Sequence, residues 1–194
     1  PILANLALAS ERHPSWWNAD QMVRWRDVPA LPFELACLPQ GLFRLLRLHV
    51  VSYALPALIA IGQVIHHRAP TRNPFLRFAR LLARRPSLRR LQAIMPSSGG
   101  FLEAVPLTSF VTMSIAGIGR RDHVVVREGV RFLCDRARPD GSWPIDTDLS
   151  TWVTTQSVHA LSAGAHPLPE GVQNLFHPLM VRQNTEVHPY TGAA

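Results

Sequence analysis

The stretch that decides the fold occurs twice, 42 residues apart. The first copy reads Gly99-Gly100-Phe101 and, after a five-residue gap, Leu107-Thr108-Ser109-Phe110-Val111-Thr112. The second reads Gly141-Ser142-Trp143 and, after the same gap, Leu149-Ser150-Thr151-Trp152-Val153-Thr154. A period of this length is typical of helical arrays, in which each unit buries its apolar face only by stacking on its neighbours.

The residues around each turn predict helices. Pro106 suits the first turn of a helix, where a missing N–H is not needed. We predict helices from residue 106 to about Gly117 or Gly119, over residues 122–137 and over residues 149–163. The buried stripe of the second is expected to consist of Val125, Val126, Val130, Phe132 and Leu133. Because no alternating strand pattern longer than four residues appears, the predicted fold is all-α, with two helical repeats over residues 97–164.

Composition limits the classes of protein to consider. Hydrophobic residues make up 47% of the 194 residues and charged residues only 17%, which excludes a disordered chain. The net charge of +7 comes from arginine without any lysine and favours an anionic partner surface. The two cysteines, Cys37 and Cys134, suggest neither a disulfide framework nor a zinc site, so a reducing compartment is expected. The N-terminus lacks the pattern of a signal peptide.

A basic stretch over residues 74–91 combines arginines with large apolar residues. This alternation at helical spacing favours a helix lying at a membrane surface over a nucleic-acid-binding arm. An ordinary solvated helix face is the alternative. Pro86 is expected to split the stretch into two parts.

An apolar segment covers residues 42–65. From Leu48 to Ile65 it has no charged residue apart from the titratable His49, and these 18 residues are at the lower limit for a membrane span. Pro56 in the middle of the run, together with Ser52 and Gln63, favours a buried helix pair or a kinked helix instead. A small integral membrane protein nevertheless stays open as an alternative.

One segment resembles a known family. The run Gly129-x-x-Phe132-Leu133-x-x-x-Ala137-x-x-x-Gly141-Ser142-Trp143 resembles the QW repeat of squalene–hopene and oxidosqualene cyclases, with Ala137 where that repeat has Gln. Residues 31–39, 50–58, 99–106 and 149–161 are similar to further segments of those cyclases. The resemblance covers about residues 30–165.

The resemblance implies that residues 1–194 are one region of an α/α toroid, a double ring of helices around a cavity. Such enzymes are isomerases of triterpenoid biosynthesis that protonate a polyprene such as squalene and need neither metal nor cofactor. They sit on one leaflet of a membrane, which implies a cytoplasmic, monotopic or peripheral location on the inner membrane. Their acid motif, D-x-D-D, is absent from this sequence, so the proton donor is expected in the remainder of the cyclase chain.

The same resemblance assigns roles to particular residues. Trp152 and Phe110 are candidates for the cavity wall, where aromatic faces stabilise a carbocation, although core packing would explain them as well. Asp146 and Asp148 are the one carboxylate pair at D-x-D spacing, and helix N-capping is the alternative role for both. Four residues are expected to be structural parts of the repeat: Gly100, Phe101, Gly141 and Trp143. The scattered histidines do not predict a metal site.

A second function class stays open. The chain would then be a non-catalytic helical-repeat module that binds an isoprenoid or a partner protein through its concave face. No nucleic-acid partner is expected in either case.

Overall fold

The computed structural model describes residues 2–16, 22–45, 52–147, 149–163, 171, 174, 176–181, 185 and 187. The α-helices of these residues are α1 (Ile2–Arg12), α2 (Gln40–Leu45), α3 (Leu55–Arg68), α4 (Pro74–Ala93), α5 (Val105–Gly117), α6 (Val124–Asp135), α7 (Ser150–Ser162) and α8 (Phe176–Val181). Short 3₁₀ turns cover Pro14–Trp16, Trp25–Asp27, Phe33–Cys37, Ser52–Ala54 and Phe101–Glu103. The described residues contain no β-strand, which confirms the all-α prediction.

Helix α3 is the centre of the core. Ten of its fourteen residues are buried, because α1, α4, α5 and the 33–37 turn pack around it. A helix that is apolar on all sides is stable only in such a setting. The sequence favoured a buried helix pair or a kinked helix in this segment. Helix α3 is a single buried helix that begins at Leu55, so Pro56 lies in its first turn, where proline is tolerated, and does not interrupt it.

Helix α4 continues through Pro86, so the predicted break there is wrong. A proline inside a helix disturbs the hydrogen bonds of the preceding turn. Here, neighbouring polar side chains bind carbonyls of that turn: Gln63 Nε2 donates to the Arg84 carbonyl oxygen at 3.1 Å, and Ser87 Oγ donates to that of Ala83 at 2.7 Å. Both side chains are almost fully buried. The tertiary contact with α3 thus helps to compensate for the proline.

Two arginines of α4 hold the 33–37 turn against the core. Arg80 is 4% exposed, and its Nε lies 3.1 Å from Glu34 Oε2. Arg90 Nη1 donates to the carbonyl oxygens of Ala36 at 2.9 Å and Leu38 at 3.2 Å. Loss of one partner of a buried ion pair is strongly destabilising, because the other charge stays buried without a counter-ion. The position of the 33–37 turn therefore depends on both Arg80 and Glu34.

Helices α5 and α6 pack closely at a glycine. A Cβ atom on Gly129 would lie 2.2 Å from Thr112 Oγ1, so the two backbones approach only because residue 129 has no side chain. The buried face of α6 consists of Val125, Val126, Gly129 and Phe132. Val130 is 46% exposed, which corrects its predicted place in the buried stripe.

Helix α7 contains no buried residue. In the array that the repeat predicts, each helix is covered by the next unit, and the described residues do not supply one for α7. The described residues form an all-α fold, and the arrangement of the helices in a toroid stays a prediction. Among the described residues, no helix has both the length and the apolar character that a membrane span requires.

Candidate functional site at the paired turns

The two Gly-x-aromatic turns meet through their backbones. Ala104 and Asp146 form an isolated antiparallel bridge, in which the Val105 N–H donates to the Ile145 carbonyl oxygen and the Thr147 N–H donates to that of Glu103, both at 3.0 Å. The two donors, Val105 and Thr147, are 42 residues apart, and so are the two acceptors, Glu103 and Ile145; this is the spacing of the sequence repeat. The bridge therefore joins equivalent positions of the two copies.

Left-handed backbone precedes this bridge. Leu102 has φ of 55° and Glu103 has φ of 54°, and neither is glycine. Such residues cost about 1–3 kcal/mol each and tend to occur where surrounding contacts require them. The contact that Glu103 makes here is a hydrogen bond of the bridge, in which its carbonyl oxygen accepts from the Thr147 N–H.

The carboxylate of Glu103 is the centre of a polar cluster. Ser98 Oγ donates to its Oε1, and Thr147 Oγ1 donates to its Oε2 at 3.1 Å. A guanidinium nitrogen of Arg136 lies 3.9 Å from Oε2. The side chain is about 29% exposed, so the group is accessible from solvent.

This arrangement uses Glu103 as a hydrogen-bond acceptor. Both oxygens accept from hydroxyl groups, and the nearby cation balances the negative charge. A general acid must instead present a proton to its substrate. The chemistry of the cluster is therefore to join the two turns and the end of α6.

The four predicted repeat residues differ in their surroundings. Phe101 is 1% exposed in the main apolar cluster, whereas Trp143 is 51% exposed and donates its indole N–H to the Leu133 carbonyl oxygen at 2.8 Å. Position 100 requires glycine, because a Cβ atom there would lie 2.2 Å from a ring atom of Phe132. Gly141 has φ of 81°, close to the 84° of its counterpart Gly99.

The two aromatic candidates for a cavity wall lie in different surroundings. Phe110 on α5 is half-buried and packs against the smaller apolar cluster, formed by Ala4, Ala7, Val28, Ile61 and Ile65. Trp152 on α7 is 61% exposed. No ring contact between Phe110 and Trp152 is found among the described residues, and their role as a shared cavity wall stays a prediction.

The structure also locates one of the two candidate acids. Asp146 is half-buried and takes part in the backbone bridge, while Asp148 lies outside the described residues. Leu149 occupies the N-cap position of α7, so Asp146 does not cap this helix, and the alternative cap, Asp148, lies outside the described residues. Among the described residues, no group of three or more His, Cys, Asp or Glu could hold a metal ion.

Burial shifts the titration of several groups. Desolvation lowers the pKa of His66, and the charges of Arg80 and Arg84 lower it further. Desolvation likewise raises the pKa of the Cys37 thiol, which the nearby Arg90 partly offsets. His66 is 6% exposed and Cys37 is half-buried.

Sequence reasoning did not find Glu103, Ser98 or Thr147. Left-handed φ at non-glycine residues has no clear sequence signal, and Thr147 lies 44 residues from Glu103 along the chain. The repeat itself was the available clue, because equivalent turns that pair must place the residues between them close together.

Comparison of the chain with models of protein families, with curated proteins and with solved structures finds no match. The resemblance to triterpene cyclases therefore depends on the sequence segments quoted above.

Proposed function

We propose that this chain is a region of a squalene–hopene cyclase-like protein, an isomerase that cyclises a polyprene after protonation. The proton donor would be supplied by the remainder of the protein, and this chain would contribute helices to the wall of the cavity. Its partners would be squalene or a related polyprene, the rest of the cyclase chain and the surface of a membrane.

The observation that carries the proposal is the pairing of the two turns. In a toroid, each inner helix starts from such a turn, and successive turns must contact one another to stack the repeats. Here the contact joins equivalent residues at the 42-residue spacing, directly before α5 and close to the start of α7. The exposed face of α7 also supports the proposal, since a further repeat would cover it.

The test uses the natural full-length protein that contains this region, expressed in bacteria that produce squalene, with cyclised products measured by mass spectrometry. If Trp152 stabilises the cation, Trp152→Leu should lower turnover about thirtyfold, because a desolvated cation–π contact contributes about 2 kcal/mol. Trp152→Phe should retain most of the activity. Ser157→Ala, on the same exposed helix, is the control and should leave turnover unchanged.

Two results would contradict the proposal. Absence of any cyclised product from the full-length protein would favour the non-catalytic module that binds an isoprenoid or a protein. Cyclised product from these 194 residues alone would show that the proton donor is not in the remainder of the protein.

Helix α4 supports the proposed contact with a membrane surface. Phe75, Phe78 and Leu82 are at spacings that place them on one face, and they are 85%, 63% and 62% exposed. The helix has no acidic residue, and Arg77, Arg85 and Arg89 are exposed beside this face. Exposed apolar side chains flanked by cations suit the boundary between acyl chains and anionic headgroups.

Flotation with vesicles tests this contact. The triple variant Phe75→Ser, Phe78→Ser, Leu82→Ser should reduce binding to anionic vesicles at least about a hundredfold, because each apolar side chain contributes roughly 1 kcal/mol or more when buried. A control variant replaces three exposed apolar residues outside α4, Ile145, Val153 and Leu161, with serine. Equal loss of binding in both variants would refute a specific role for α4.

A further inference from the structure

Two cavities adjoin each other beside the end of α3. The larger is an open groove of about 1100 Å³ between residues 24–30 and residues 65–72. The smaller has a volume of about 320 Å³ and is lined by apolar side chains, among them Ile2, Leu3 and Leu31. Val28, Pro29 and Ile65 line both cavities, so the two are adjacent, and we refer to them together as the depression.

The larger cavity is strongly cationic. It is lined by four arginines, Arg24, Arg26, Arg68 and Arg72, and by one carboxylate, Asp27. Arginines from two separate segments thus converge on one concave surface, where their fields add. An anion is the ligand that such a surface attracts.

The four guanidinium groups are not equally available. Arg68 is held by Glu11 at 3.0 Å and donates to the Gly117 carbonyl oxygen at 3.4 Å. Arg24 pairs with Asp27 at 3.2 Å, but both side chains are largely exposed, and such a pair is weak enough to exchange for a ligand. Arg26 and Arg72 are exposed and form no ion pair among the described residues.

The smaller cavity supplies the opposite chemistry. Ile2 is 67% exposed and Leu3 is 44% exposed at its edge, although both lie on a helix whose other face is buried. Apolar side chains left open beside a cationic groove form a surface that is complementary to a molecule with an anionic head and an apolar tail.

We propose that this depression binds a single-chain amphiphile with a phosphate head, the phosphate on Arg26 and Arg72 and the tail against Ile2, Leu3 and Leu31. A guanidinium group suits this head because its planar donors match phosphate oxygens in pairs. The site is independent of the cyclase proposal, since a polyprene hydrocarbon has no charged head. It takes one amphiphile from solution, in contrast to α4, which would contact a lipid surface.

Isothermal titration with dodecyl phosphate below its micelle concentration tests the site. Each buried methylene raises affinity roughly fourfold, so burial of about three to four methylenes in the smaller cavity should make dodecyl phosphate bind roughly a hundredfold more tightly than inorganic phosphate. Arg26→Ala with Arg72→Ala should weaken dodecyl phosphate binding about tenfold or more. Ile2→Ser with Leu3→Ser should weaken dodecyl phosphate while leaving inorganic phosphate unchanged.

The control variant removes two exposed arginines far from the groove in sequence, Arg127 and Arg138, with the same change in net charge. It should bind both ligands like the unmodified protein. Equal weakening in this control would show a general charge effect and refute the site. The proposal is also refuted if inorganic phosphate binds as tightly as dodecyl phosphate, if neither binds, or if binding occurs only on anionic vesicles and not to dissolved dodecyl phosphate.

Discussion

The two equivalent glycines of the repeat allow a matched experiment on how firmly each turn is held. Gly99 has φ of 84° and Gly141 has φ of 81°, so alanine at either position adopts the same unfavourable backbone. That conformation costs about 1–2 kcal/mol for a residue with a Cβ atom. The surroundings of the two glycines differ. A Cβ atom on Gly99 would lie 2.6 Å from the Glu128 carbonyl oxygen, whereas a Cβ atom on Gly141 would have no heavy atom within 4 Å.

The expected magnitudes follow from this difference. Gly141→Ala should reduce the free energy of unfolding by about 1–2 kcal/mol, the backbone contribution alone. Gly99→Ala adds a contact with backbone atoms that cannot rotate away, and such overpacking costs roughly 1–3 kcal/mol more. At about 2–4 °C per kcal/mol for a chain of this size, the two variants should differ in Tm by about 2–12 °C.

Thermal unfolding followed by circular dichroism at the helical band measures both variants against the unmodified chain. Retained helical signal at low temperature is the control that each variant folds. Equal losses of Tm in Gly99→Ala and Gly141→Ala would refute the reasoning, because the packing of Glu128 against the first turn would then contribute nothing.

Three further predictions concern the core and the second turn. Glu34→Gln leaves Arg80 buried without its counter-ion and should cost about 3–5 kcal/mol in urea unfolding, whereas an unchanged midpoint would contradict a buried ion pair. Burial lowers the pKa of His66 below its unfolded value of 6.5, so the free energy of unfolding should be highest above pH 6.5 and fall as the pH drops below it. The variant His66→Phe should make this pH dependence shallower. An unaltered pH profile in the variant would argue against a contribution from His66. Trp143→Phe removes the hydrogen bond to the Leu133 carbonyl oxygen and should lower stability by about 1 kcal/mol, measured as a Tm decrease of about 2–4 °C, with no decrease if the indole N–H contributes nothing.

Much of the secondary structure could be predicted from local patterns. The helices after both turns were expected because proline, glycine and apolar spacing act over a few residues, and α5, α6 and α7 lie within about two residues of their predicted bounds. The 42-residue spacing likewise marked the two turns that pair in the structure.

Local patterns were insufficient where contacts with a distant part of the chain decide whether a helix continues or a side chain is buried. Pro86 was expected to split the basic stretch, but α4 continues through it, and Gln63 from α3 donates to the Arg84 carbonyl oxygen in the preceding turn. Arg80 belongs to the basic stretch that was expected to lie at a surface, yet it is buried and paired with Glu34. In both cases, the deciding group is more than 20 residues away along the chain.

The sequence by itself therefore determined the all-helical class, the repeat and the excess of positive charge, since each depends on composition or on spacing along the chain. The tertiary structure alone decided which arginines are buried and which converge on the groove, and it placed Glu103 between the two turns. The physical reason is that burial and electrostatic fields depend on distance in space, and residues far apart in sequence become neighbours only when the helices pack.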